Sequence, residues 1–261
     1  MRRIFGAFDK ADLAAPYFKS MGKVTDAWFY ILQYKRDGVW EKVTLPENAT
    51  LYKLDKKYAG NSGKLNDLHN IYKELEIGVN EWCIFTDMHD IVFQKDIPLL
   101  PEHASALVCY EQKHFEDIEF WKHIMPEKMQ KLKVYNCGIF AMQEHYFGYY
   151  LEITHDLYMQ MVEWKKNFSA TRLGSDFPFT SPYVTEAITH QVGAIYNGIA
   201  DTHLFNNYIN SIPFVMEWND VCCYNFSVEK KKAKMWYKKL CDMQGVPFAI
   251  AHYNGNAKEK T

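Results

Sequence analysis

No uninterrupted run of 18 or more apolar residues occurs in the 261-residue chain, so the sequence offers no bilayer-spanning helix. The N-terminus, MRRIFGAFDKADLAA, carries two arginines, but its apolar stretch is too short for a signal-peptide core. An excess of one charge is also missing. With 30 Lys+Arg against 32 Asp+Glu the net charge is −2, which removes the electrostatic case for a dedicated nucleic-acid binder. The six cysteines form no CxxC, and five of them sit in the apolar runs WCIF, LVCY, NCGIF and VCCY, the pattern of buried free thiols in a reducing compartment. There is no internal repeat, no low-complexity tract and no G-x-x-x-x-G-K-[ST] phosphate loop. Together these absences lead to the expectation of a soluble protein, cytoplasmic or otherwise intracellular, with no transmembrane segment and with nucleic acid an unfavoured partner.

What is present is ordinary globular material: 48% hydrophobic and 24% charged residues, enough for one large α/β domain. Aromatics reach 16%, a surplus that suits either a well-filled core or stacking on ring-shaped ligands. Strand-like runs are Arg3–Phe8, Trp28–Leu32, Trp82–Thr86, Ile91–Phe93, Ala104–Tyr110, Gly138–Met142 and Phe248–Ala251. After the loop GNSG (60–63), Leu65, Leu68, Ile71, Tyr72 and Leu75 fall at helical spacing, so a helix is expected from Lys64. Residues 144–166 and 228–243 also read as helices, the second with a strongly basic outer face. Strands alternating with helices predict a twisted, mainly parallel sheet covered by helices on both faces, with ligands beyond the carboxyl ends of the strands. Residues 167–200 are rich in Gly, Ser, Thr and Pro and read as an excursion from the core, a lid or acceptor-side loop.

The segment WCIFTDMHDIVF carries the sharpest chemistry. Asp87 and Asp90 sit at the carboxyl end of an apolar strand, and a second apolar run resumes at Ile91. Charge beside a buried strand is costly unless compensated, and a divalent cation with hard oxygen ligands compensates it economically. A solvated turn holding two aspartates is the simpler alternative.

TDMHDIVF resembles the DxD-type metal motif of GT-A fold (Rossmann-like) glycosyltransferases. It is similar above all to the glycosyltransferase domain of procollagen lysyl hydroxylases and their viral relatives, and also to glycogenin-like retaining enzymes. Four further segments follow the same order: GNSGKLNDL, YNCGIFAM, ADTHLFNNYI with a later EWN, and HYNGNAK. Thr202 stands where the family carries Gln. The resemblance implies a single domain, with residues 1–110 as the nucleotide-binding half and 111–261 as the acceptor half. It also implies a metal-dependent hexosyltransferase, a UDP-sugar donor (UDP-glucose or UDP-galactose) and a hydroxyl acceptor such as the (galactosyl)hydroxylysine of collagen-type glycosylation, with retention at the anomeric carbon.

Residue roles follow from the same match. Asp87, Asp90 and His252 would hold the metal; a nitrogen beside two carboxylates favours Mn²⁺ somewhat over Mg²⁺. Both segments follow apolar strands, which parallel pairing would deliver to one sheet edge. Lys64, His89, Asn136, Gly138, Asn254, Gly255 and Lys258 would line the donor site, with Lys258 on a phosphate as a point charge and Gly255 admitting close backbone approach. Asp201 and Glu111 resemble the acidic residues near the sugar, although Asp201 reads equally as a helix N-cap and Glu111 as a solvated loop carboxylate. The run EKKKAKMWYKK (229–239) holds six lysines and reads as a solvated face or a site for an anionic acceptor. Two other functions use similar residues: a nucleotidyltransferase or phosphohydrolase built on the paired aspartates, and a nucleotide-sugar-binding module without turnover, which Thr202 keeps open. A homo-oligomer is compatible with all three.

Overall fold

β-Branched and aromatic runs become strands in the computed structural model, which describes residues 1–57, 60–117, 127–170, 205–206, 208–224, 233–237 and 239–253. The central sheet takes β1 (Arg2–Phe8), β2 (Ala27–Lys35), β3 (Ala49–Lys57), β4 (Trp82–Asp87), β6 (Ala106–His114), β7 (Lys133–Gln143) and β8 (Val215–Glu217). Its order is β3-β2-β1-β4-β7-β6-β8, and only the pairings made by β7 are antiparallel. The architecture is therefore α/β with a mostly parallel seven-stranded sheet, as the alternating pattern predicts.

Alternation along β1 sets the two faces. Ile4 and Phe8 join a core with Ala14, Tyr17 and Met21 of helix α1 (Ala11–Met21), while Phe5 and Ala7 join the opposite one. That second core contains Leu65, Leu68 and Ile71 of α2 (Gly60–Tyr72), together with Phe147, Tyr150 and Leu151 of α3 (Glu144–Ala170). Phe5 stacks on Phe147 with centroids 5.2 Å apart, and Phe140 meets Phe205 at 4.6 Å. Much of the aromatic surplus thus fills this core, each buried ring contributing on the order of 1.5–3 kcal/mol.

A second, three-stranded sheet of order β5-β12-β9 packs on the α1 face, from β5 (Ile91–Phe93), β9 (Val221–Tyr224) and β12 (Ile250–Tyr253). The expectation of one parallel sheet holding the strands of β5 and β12 is corrected: both lie in this smaller sheet, where β12 runs antiparallel to β5. The helix expected over 228–243 is also corrected. Its described part is a ribbon of β10 (Lys234–Trp236) and β11 (Lys239–Cys241), with Tyr237 in the left-handed region at φ 45° in the turn. The side chain of Gln94 explains the preference: its Oε1 accepts the Leu240 N–H at 2.7 Å and its Nε2 donates to the Leu240 carbonyl at 2.8 Å. A helix would keep those backbone groups for itself. Helix α2 starts at Gly60 rather than Lys64, so GNSG is its first turn, and α3 extends to Ala170, beyond the expected end at 166. The remainder of the excursion, 171–200, lies outside the described residues.

The seam between α2 and α3 holds a stacked histidine pair, His69 over His155 at 4.2 Å between centroids. His69 is buried, which lowers its pKa, and the neighbouring His155 and Lys73 lower it further against the opposing pull of Glu152 and Asp156. A neutral histidine in the fold that protonates more readily when unfolded makes stability rise with pH. Stability is thus complete above the ordinary histidine value and falls as pH drops below it toward the folded value. Urea denaturation between about pH 7 and 5 should show this fall in the wild type and a shallower one in His69→Phe.

Candidate metal centre

Parallel pairing of β1 with β4 sets Ala7 opposite Asp87, so Asp87 closes β4 beside the carboxyl end of β1. The next residue, Met88, is fully buried, and β1 makes room for it with a glycine. A Cβ on Gly6 would stand 2.6 Å from Met88 Cγ. A tight turn, with the Asp90 N–H donating to the Asp87 carbonyl at 3.2 Å, presents both carboxylates before β5 begins.

His252 arrives by antiparallel pairing. Its register partner on β5 is Ile91, and the next residue, Tyr253, donates its N–H to the Asp90 carbonyl at 2.8 Å. The chain thus leaves the aspartates along β5 and returns to them along β12. One ligand atom each from Asp87, Asp90 and His252 lie within 4.8 Å of one another. Donors bound at 2.0–2.2 Å to a shared ion stand at most about 4.4 Å apart, so a few tenths of an ångström close the set. Two carboxylates and an imidazole suit a borderline divalent cation.

A buried cation also stands beside the centre. Lys64, almost wholly buried on α2, places Nζ 3.4 Å from Asp87 Oδ1 and 4.9 Å from the centre of the Phe85 ring. Burial alone would raise the Asp87 carboxyl, but the Lys64 ammonium, then His252 and His89, outweigh it and hold Asp87 below the usual carboxylate range. Asp87 is accordingly ionised and ready to ligate at neutral pH.

The Asn136-x-Gly138 segment of β7 seats the histidine. Asn136 Oδ1 accepts the Gly138 N–H at 2.8 Å, and a Cβ on Gly138 would lie 2.7 Å from His252 Cε1. Only a residue without a side chain leaves that ring its position. Beside the centre runs a cleft of about 390 Å³ walled by Cys109, Tyr110, Glu217, Trp218 and Cys223 among others. Register ties it to the centre, because Cys109 pairs with Asn136 and Cys223 with His252.

The structure therefore brings together Asp87, Asp90, His252, Lys64, Asn136 and Gly138. His89 acts on Asp87 through its charge, while its Nε2 lies 3.4 Å from Asp9 Oδ1. Glu111 is a residue of β6, in the stretch where its register with β7 shifts. Asp201, Thr202, Asn254, Gly255 and Lys258 lie outside the described residues. Sequence reasoning missed Gly6 and Asp9. Asp9 follows the RIFGAF strand directly, and attention to the carboxyl end of every strand would have found it.

A scan against protein-family models finds no family that matches this chain, and a search of curated proteins finds no match either.

Proposed function

We propose that this chain is a metal-dependent glycosyltransferase of the GT-A type that transfers a hexose from UDP-glucose or UDP-galactose to a hydroxyl group. The observation that carries the reading is the convergence of Asp87, Asp90 and His252, with a buried lysine beside Asp87, at the carboxyl end of a strand in a mostly parallel sheet. When bound there, Mn²⁺, with Mg²⁺ as the alternative, supplies positive charge to the diphosphate of the leaving UDP.

The chain's own residues do the rest. Asp87 and Asp90 provide anionic ligands fixed by the turn between β4 and β5, so little reorganisation accompanies binding. Lys64 holds an ammonium against Asp87 and offers a second cation to a phosphate oxygen. His252, buried behind Gly138, fixes the third ligand direction. The neighbouring cleft, with Tyr110, Trp218 and Glu217 in its lining, supports this reading by offering aromatic faces and a carboxylate to an acceptor. Collagen-type (galactosyl)hydroxylysine is the acceptor we favour, with retention of configuration, on the motif resemblance alone.

Incubating the protein with Mn²⁺ and UDP-glucose or UDP-galactose and measuring free UDP tests the proposal. Slow metal-dependent donor hydrolysis without acceptor is the expected result. Tight UDP-sugar binding with no release would replace the enzyme by a binding module.

A further inference from the structure

The β10–β11 ribbon that replaces the expected helix changes what the lysine-rich segment displays. On a helix, Met235 and Trp236 would lie on the side opposite the lysines. On the ribbon they are 42% and 52% exposed, and Tyr237 in the turn is 87% exposed. Met243 and Val246, in the loop that follows β11, are 51% and 52% exposed. Lys234 reaches over the Trp236 ring at 5.2 Å, and Lys239 is the register partner of Trp236, so cations flank the exposed ring.

The base of the ribbon is firmly held while Tyr237 at its turn is bare. Leu240 and Cys241 are buried, and Gln94 clamps Leu240 through both its N–H and its carbonyl. Charge is segregated onto the same stretch. Residues 229–243 carry six lysines against Glu229 and Asp242, a local charge of +4 in a chain of net charge −2, leaving −6 for the remainder.

We propose that this ribbon is a peripheral docking element for a lipid surface bearing anionic headgroups. An exposed indole and phenol at a turn, with Lys234 and Lys239 flanking the indole, match the interfacial zone of a bilayer, where amphipathic rings sit among headgroups and cations meet lipid phosphates. Single-stranded nucleic acid also stacks on aromatic rings between cations. However, Met235, Met243 and Val246 offer no stacking face and instead suit the acyl boundary. The contact is peripheral: no helix among the described residues is long and apolar enough to cross a membrane. The inference does not depend on the proposed enzyme activity.

Co-sedimentation tests it with vesicles of phosphatidylcholine alone and of phosphatidylcholine mixed with phosphatidylserine. The wild type should bind the mixed vesicles, more weakly as salt rises, and should leave the neutral ones. Trp236→Ala with Tyr237→Ala should lower partitioning by about tenfold or more. Lys239→Ala should lower it by about fivefold. Should the double substitution unfold the ribbon, Trp236→Phe gives an independent reading: brominated lipid should quench tryptophan emission in the wild type and no longer do so in this variant. Equal binding to both vesicle types, no binding, wild-type partitioning of the double variant, or quenching that persists in Trp236→Phe would each overturn the proposal. Capture of a single-stranded oligonucleotide in place of the vesicles would do the same.

Discussion

Asp87→Asn and Asp90→Asn are each expected to lower Mn²⁺-dependent release of UDP from UDP-glucose or UDP-galactose by about a hundredfold or more. The amide has the shape of the carboxylate but not its charge, so the effect reports ligation rather than packing. The two variants should differ in their cost to the fold. Asp87 faces the buried Lys64 ammonium at 3.4 Å, and its loss withdraws the anion from that pair. Asp87→Asn should therefore melt at a lower temperature than Asp90→Asn while both lose turnover alike. Steady-state UDP release and a thermal melt on the same preparations check both statements. Wild-type turnover in a folded Asp87→Asn protein would remove this carboxylate from the chemistry.

Gly138→Ala is expected to behave as a metal-site variant although residue 138 supplies no ligand. The added methyl would stand 2.7 Å from His252 Cε1, closer than carbon atoms tolerate, and a tight 3.1 Å from Asn136 Oδ1. His252 is only 1% exposed and held in register between β5 and β9, so its ring has little room to retreat. Overpacking of this kind costs about 1–3 kcal/mol of stability. Displacement of the imidazole should also weaken Mn²⁺-dependent UDP binding by about tenfold or more, each tenfold step being about 1.4 kcal/mol. Chemical denaturation reads the first effect and a UDP titration the second. A variant that loses stability but keeps full UDP affinity would show that the His252 position is not critical.

How much of this was legible in the sequence depends on whether the cause is local. Asp87 and Asp90 stand out because two carboxylates interrupt an apolar strand, and nothing distant is needed to see it. The HYNGNAK motif points to His252 as a partner, and the geometry brings it to the aspartates, but by a different route. Parallel strands sharing one edge were expected, whereas β12 returns antiparallel along β5 in a separate sheet. Strand direction is set by pairing partners far away in sequence, so periodicity could not reveal it. The ribbon escaped for the same reason: Gln94, 146 positions before Leu240, takes the hydrogen bonds that decide against a helix. Edge strand β3 was overlooked because ATLYKLDKK is half-exposed along its length and lacks an apolar run. Helix α1 was overlooked although Ala14, Tyr17 and Met21 keep helical spacing, since Pro16 lies inside it. The motif makes Gly138 a donor-site residue; its closeness to the histidine is a three-dimensional fact that no spacing encodes.

Titration calorimetry of UDP into the wild type and His252→Ala, each with Mn²⁺ and then with the metal chelated, tests the central claim most directly. If Asp87, Asp90 and His252 hold an ion that bridges protein to diphosphate, wild-type binding should be strong with Mn²⁺ and nearly lost without it. His252→Ala should bind UDP more weakly with Mn²⁺ and show a smaller difference on chelation. UDP affinity that is the same with and without Mn²⁺, or unchanged by His252→Ala, would contradict the account.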